Sequence, residues 1–382
     1  MHIADLTMFH APESGGVKRY LQAKRDWLAR RSGFRHTLMI PAERSCMRTP
    51  DVVCLPGLRL PGSGGYRLPP GPWHAARALR RLRPDIIEAG DPYFYANAAL
   101  AAGRDLGVPV IAFCHSDVPG LAQRWLAAPA ALAVRSYMRW LYARFDLVLA
   151  ASGVVENSLR ELGLGNVARQ PLGVDTAGFH PGLRDPGLRA RLGVAGSTRM
   201  LVFAGRYSPE KNLWVLEHAM HRLGPGYLLV TIGSGSHPAR ATNIVNLPYQ
   251  SDPAALATLL ASCDALVHPG DQETFGLVVL EAMACGLPVI GTTGGGVSEL
   301  VDEGVGIRVP ALQPAALHAA IVQLFQRDLG ALSRNARRRA VSRFDWNAVM
   351  PGLVAHYHGA WLARAGHGAA TAALREGRQA LK

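Results

Sequence analysis

Asp271-Gln272-Glu273-Thr274-Phe275-Gly276-Leu277-Val278-Val279-Leu280-Glu281-Ala282-Met283-Ala284-Cys285-Gly286-Leu287-Pro288-Val289-Ile290 is the stretch that decides how the chain is read. An apolar run over 265–268 leads into it and reads as a buried strand. A polar turn follows, and then a helix over about 274–284. Gly286 stops that helix, and Val289-Ile290 opens another strand. Leu277-Val278-Val279-Leu280 and Ala282-Met283-Ala284 make the helix apolar nearly all round, so it should be buried. Glu281 sits inside that apolar run, where a carboxylate is expensive unless something binds it. Glu273 stands just before the helix, with seven residues between the two carboxylates.

A pair of glutamates at this spacing is most often structural. Glu281 would then meet a core Arg or Lys, and Glu273 would only bias the helix N-terminus. The surroundings favour another use. The helix start offers the amides of Phe275, Gly276 and Leu277, a natural site for an anion. The carboxylates beside them can hold hydroxyls, and hydroxyls next to a phosphate describe a sugar nucleotide. The signature is Glu273-x7-Glu281, with Phe275-Gly276 after the first Glu and Gly286-Leu287-Pro288-Val289 after the second. It resembles the donor site of retaining glycosyltransferases of the GT-B fold, more narrowly the group called family 4 or glycosyltransferase group 1. The resemblance implies an α/β protein of two Rossmann-like domains, their parallel sheets facing across a cleft that holds the active site. The domains would span 1–172 (acceptor side) and 173–346 (donor side), with a helix over about 347–364 completing the first and a weakly ordered tail over 365–382.

The chain has 382 residues, enough for two domains of ordinary size. Hydrophobic residues at 49% and charged ones at 18% suit a soluble globular protein. With no apolar run of about 18 residues, no transmembrane helix is expected. Met1-His2-Ile3-Ala4-Asp5 lacks the basic start and apolar core of a signal peptide and reads as a first strand, which implies a cytoplasmic protein. Cys46, Cys54, Cys114, Cys263 and Cys285 are odd in number and show no CxxC spacing; Cys114, Cys263 and Cys285 lie in apolar surroundings and are expected to be reduced core residues. His218 and His221 share a helix at a ligand spacing, but no carboxylate or Cys completes a set, so no metal or cofactor is expected. Lys and Arg total 41 against 28 acids, a net charge of +13. Nucleic acid, an anionic membrane or an acidic substrate would each explain that excess. No nucleic-acid motif is present.

In the first half, a strand over about 2–8, the loop His10-Ala11-Pro12-Glu13-Ser14-Gly15-Gly16 and a helix over about 17–31 form a unit that presents amides to phosphate. Gly-Gly pairs alone are usually just turns; the resemblance implies that Gly15 and Gly16 close over the donor phosphates. The helix carries Lys18, Arg19, Lys24, Arg25, Arg30 and Arg31 among Tyr20, Leu21, Trp27 and Leu28. It is either a solvated helix with one packed face or a contact with an anionic membrane. The Pro/Gly-rich connection over 56–73 either frames an acceptor or is a plain surface loop. Residues 108–114 form an unbroken apolar strand, as parallel sheets require, and His115-Ser116-Asp117 stands at its carboxyl end, where open α/β sheets form sites. A lone His there is more often structural. The resemblance implies that His115 lies against the donor sugar, and it makes Asp117 the candidate for acceptor contact. A helix over 127–145 mixes Arg135, Tyr137, Arg139, Trp140, Tyr142 and Arg144, a pattern that suits a membrane interface or an ordinary amphipathic helix.

The βα alternation restarts at about 200–204, after Leu172-Gly173-Val174-Asp175, which resembles the family's interdomain linker. Gly205-Arg206-Tyr207-Ser208-Pro209-Glu210-Lys211-Asn212 then places two cations at a strand's carboxyl end. Arg clamps a diphosphate bidentately and Lys acts as a point charge. Alone, such a stretch reads as a surface turn; the resemblance implies that Arg206 and Lys211 hold the donor diphosphate. Gly233-Ser234-Gly235 lacks the third glycine of a dinucleotide fingerprint. The resemblance implies instead that Gly233 borders the nucleotide.

It further implies that Glu281 binds ribose hydroxyls, and that Glu273 with the amides of Phe275, Gly276 and Leu277 holds the transferred sugar. The implied reaction is metal-independent transfer of a hexose with retained configuration, the leaving phosphate acting as base. The donor would be of the GDP-mannose or UDP-glucose type. The acceptor would be a hydroxyl of a glycolipid or glycan, with the protein peripheral on the inner face of the plasma membrane. Two alternatives stand beside this: a sugar-nucleotide epimerase of the same fold, and a catalytically idle nucleotide-binding or scaffold protein.

Overall fold

The computed structural model describes residues 1–11, 15–43, 46–49, 51–61, 65–235 and 241–379, with the backbone alone for 46–49 and 367–379. The chain divides into two compact units. The first is Met1–Ala151, Glu156–Gln170 and Met350–Lys382, and the second is Ser152–Val155 and Pro171–Val349.

The first unit holds β1 (His2–Leu6), β2 (Arg35–Ala42), β3 (Cys46–Thr49), β4 (Val52–Pro56), β5 (Leu58–Arg59), β6 (Arg67–Leu68), β7 (Ile86–Ala89), β8 (Val110–Cys114), β9 (Leu147–Ala150) and β10 (Val167–Arg169). All but β5 and β6 form one sheet in the order β10-β9-β8-β7-β1-β2-β4-β3. Its pairs are parallel except β3 with β4. The strand order reverses between β1 and β7, the mark of a doubly wound fold. The expected bare connection over 56–73 contains the hairpin β5–β6, while Gly62, Ser63 and Gly64 lie outside the described residues.

Register creates an electrostatic problem in this sheet. Asp5 of β1 is the Cα partner of Glu88 of β7, two buried carboxylates side by side. Like charges in that position are destabilising unless a cation joins them. Lys24 supplies it: its Nζ lies 2.7 Å from Asp5 Oδ1 and 3.1 Å from Glu88 Oε1, with its side chain fully buried. His36 Nε2 reaches Asp5 Oδ2 at 2.8 Å. The Tyr20 and Tyr357 hydroxyls donate to Glu88 Oε1 and Oε2. Burial alone would raise the Asp5 carboxyl, but Lys24 and His36 outweigh it and hold it at about 2. At Glu88 burial wins over Lys24 and the carboxyl is pushed up.

Of the two readings of the helix Gly16–Ala29, the structure favours the helix with one packed face. Lys24, Tyr20, Leu21, Trp27 and Leu28 are all buried, so its aromatic residues and one of its cations belong to the core.

The second unit holds β11 (Arg199–Ala204), β12 (Tyr227–Gly233), β13 (Ile244–Pro248), β14 (Ala265–His268), β15 (Val289–Thr292) and β16 (Gly306–Val309). They form one parallel sheet in the order β13-β12-β11-β14-β15-β16. The reversal again falls beside the first strand, between β11 and β14. Every residue of β12, β14 and β15 is buried, as a sheet covered on both faces requires. The last helix, expected to end near 364, runs as backbone from Trp346 to Gln379.

Lys24→Met should destabilise the first unit by about 3–5 kcal/mol, since it leaves facing carboxylates buried without their cation. Urea denaturation measures this. Because the Asp5 carboxyl is held below its ordinary value, its contribution is complete above about pH 4 and is lost as pH falls towards 2.

Candidate active site

The crevice outside the carboxyl ends of strands at a switch point is where open α/β sheets bind ligands. In the second unit those ends belong to β11 and β14. Lys211, in the loop after β11, donates to Glu273 Oε1, in the loop after β14. His268, the last residue of β14, reaches the same oxygen through Nε2 at 3.1 Å. Burial alone would raise the Glu273 carboxyl; Lys211 and His268 outweigh it and hold it well below the usual carboxylate range. Glu273 is therefore an anion throughout the neutral range.

The two loops are tied together behind this pair. Asn212 adopts a left-handed φ of 51°, which Asn tolerates better than most residues. Its Nδ2 donates to Asp271 Oδ1 at 2.9 Å and to Pro269 O at 3.3 Å. Arg206 behaves differently: its side chain is 65% exposed and reaches Glu210 Oε1 at 3.9 Å. The structure thus brings Lys211 and Glu273 together and leaves Arg206 extended at the same strand end.

The helix after this loop is Leu277–Ala284, starting later than the expected 274. The reason is Gly276, whose φ of 94° cannot belong to a right-handed helix. Gly276 caps the helix without a side-chain bond. Among the described residues, the amides of Gly276 and Leu277 meet no protein acceptor. Phe275 is buried, its ring 6.1 Å from that of Phe344, so it offers backbone rather than side chain. Glu281 is buried within the apolar helix, 2% exposed. Gly233 has a structural explanation: a Cβ there would overlap the Gly205 carbonyl oxygen, so glycine is what lets these two strand ends approach.

In the first unit, Gly15 precedes the helix that begins at Gly16. Its φ of −88° is ordinary, and among the described residues a Cβ there would meet nothing within 4 Å. Pro12, Glu13 and Ser14, in the centre of this loop, lie outside the described residues. His115 follows β8 beside the ends of β1 and β7: a Cβ on Gly90 would lie 3.3 Å from Thr7 and 3.5 Å from His115. The imidazole stacks on Phe113, centroids 4.4 Å apart at 5°. Burial, then the Lys24 charge, lowers its pKa to about 3. His115 is a neutral hydrogen-bonding group near pH 7. Asp117 caps the helix Val118–Trp125, accepting from Gly120 N at 3.1 Å.

Comparison with known proteins identifies the family. A family model described as glycosyl transferases group 1 matches residues 186–342, and one described as Glycosyltransferase Family 4 matches residues 14–177. The chain is 31% identical over 318 residues to a GDP-mannose-dependent alpha-mannosyltransferase of Corynebacterium glutamicum, spanning 80% of this chain and 75% of that protein. The chain is a group 1 glycosyltransferase. A GDP-mannose-dependent alpha-(1-6)-phosphatidylinositol dimannoside mannosyltransferase of Mycobacterium tuberculosis is 31% identical over 373 residues, 93% of this glycosyltransferase and 95% of the relative. Among solved structures, sucrose-phosphate synthase from Thermosynechococcus elongatus superposes with a TM-score of 0.76 at 21% identity, over 95% of this chain and 99% of that one. The glycosyltransferase has the GT-B fold of two Rossmann-like domains, as its sequence predicts.

Sequence reasoning passed over His268 and Asn212. The signal for His268 was its place at the carboxyl end of a strand, the argument that singled out His115.

In Lys211→Ala the Glu273 carboxyl should titrate above its wild-type range, because burial is then opposed mainly by His268. Carboxyl 13C NMR reads this; an unchanged titration would mean that Lys211 and Glu273 do not pair in solution.

Proposed function

We propose that this glycosyltransferase moves mannose from GDP-mannose to a hydroxyl of a glycolipid or glycan, with retained configuration and without a metal. The observation that carries the reading is the Lys211–Glu273 pair at the carboxyl ends of β11 and β14. A nucleotide diphosphate arriving there competes with Glu273 for Lys211. Lys211 and Arg206 take the phosphates, and the carboxylate is released to the sugar hydroxyls. The amides of Gly276 and Leu277 add donors, and Glu281 takes ribose hydroxyls. As the glycosidic bond breaks, charge grows on the leaving phosphate, where fixed cations stabilise it most. That phosphate then accepts the proton of the attacking hydroxyl on the same face of the sugar. His115, being neutral, contributes a hydrogen bond rather than a charge.

The donor and acceptor classes rest on the relatives, which are named for GDP-mannose and, in one case, for a phosphatidylinositol dimannoside. The same relatives favour transfer over the epimerase and idle-scaffold alternatives. A peripheral place on an anionic membrane is part of the proposal. In its support, Trp125, Leu126, Leu132 and Trp140 are exposed, and Arg144 lies 3.6 Å over the Trp140 ring. Among the described residues, no helix is long and apolar enough to cross a membrane.

Thermal shift with GDP, UDP and ADP tests the donor site. A nucleotide at about 100 times its dissociation constant adds about 2.7 kcal/mol. Stabilisation by GDP above the other two, lost in Glu281→Ala, is expected. No shift with any nucleotide would overturn the reading, and a preference for UDP would overturn the choice of donor.

A further inference from the structure

One oxygen of Glu273 carries two bonds of different character. Lys211 is a flexible cation whose proposed task is to leave for the phosphate. His268 is fixed. It pairs within the sheet opposite Gly291, its side chain is 1% exposed, and its ring lies 6.1 Å from that of Phe203. Gly270 makes room for it: a Cβ at 270 would stand 2.9 Å from His268 Cε1. The backbone of Glu273 is held as well, its carbonyl accepting from Gly296 N at 2.6 Å. Among the described residues no donor reaches Glu273 Oε2.

We infer that His268 is a positioning residue for Glu273, holding Oε1 through Nε2–H when the diphosphate draws Lys211 away and so aiming Oε2 at the sugar. The inference rests on the donor-site reading above. Its physical content is an exchange. Without donor, Glu273 has two partners on Oε1; with donor, the bond from His268 remains. A carboxylate held at its backbone alone would rotate, and small misplacements of a group that orients substrate are costly. Nδ1 has no hydrogen-bond partner among the described residues, so the ring's polar contact is spent on Glu273.

Calorimetry with two probes, GDP and GDP-mannose, separates the outcomes. His268→Leu should weaken GDP-mannose by about tenfold and GDP by clearly less, because both draw Lys211 from Glu273 but only GDP-mannose brings hydroxyls that the carboxylate must be aimed at. His268→Gln, whose amide N–H can replace Nε2–H, should recover part of the loss. In a Glu273→Ala background, His268→Leu should add nothing, as expected for two residues acting as one unit. If Glu273→Ala weakens GDP-mannose and His268→Leu does not, this inference fails and the donor site stands. If Glu273→Ala binds GDP-mannose as wild type does, the donor-site reading itself fails. Equal loss of both probes in His268→Leu with a lowered melting temperature, unrelieved by His268→Gln, would make His268 merely structural.

Discussion

A parallel sheet covered on both faces admits polar side chains cheaply only where its strands end. The second unit obeys this constraint closely. β12, β14 and β15 are buried along their whole length, and the titratable groups gather past their carboxyl ends. Lys211, Glu273 and His268 meet there because the strand order reverses there. Glycine at 233 and 270 lets the loops close around the same point. The first unit breaks the constraint at Asp5 and Glu88. The cost shows in the apparatus assembled to meet it: Lys24, His36, Tyr20 and Tyr357 all point at two carboxylates.

Burial and charge combine differently at His115 and at Glu273. Near β8 burial and the Lys24 charge keep His115 neutral. Near β14 a cation keeps Glu273 ionised against its burial. Glu273 is thus an anion that needs a cation or a set of hydroxyls, and Lys211 is a cation that accepts a carboxylate or a phosphate. On the proposed reading, each satisfies the other until a ligand offers both replacements together, as a sugar joined to a diphosphate would.

Much of the fold was legible because parallel strands are apolar runs with sharp ends. The strand expected at about 200–204 is β11 at Arg199–Ala204, and the run at 265–268 is β14. Backbone exceptions were less legible. The helix expected from 274 starts at Leu277 because Gly276 turns left-handed, which a residue name alone does not reveal. Burial of Lys24 was hidden because a lysine among other basic residues on a helix reads as solvated. One partner, Asp5, is 19 residues away on β1, and the other, Glu88, lies still farther along the chain on β7, separations that periodicity does not see. In the site, Lys211 and Glu273 were readable from type and place. Their mutual ion pair, and the hydrogen bond from His268, depend on loops meeting in space.

A crystal structure of the complex with GDP-mannose would show whether the donor replaces both partners of the Lys211–Glu273 pair. Lys211 Nζ should lie within hydrogen-bond distance of a phosphate oxygen, its pair with Glu273 broken, and the Glu273 carboxylate on hydroxyls of the mannose. A complex with donor bound and Lys211 still on Glu273, or with the sugar out of reach of Glu273, would contradict it.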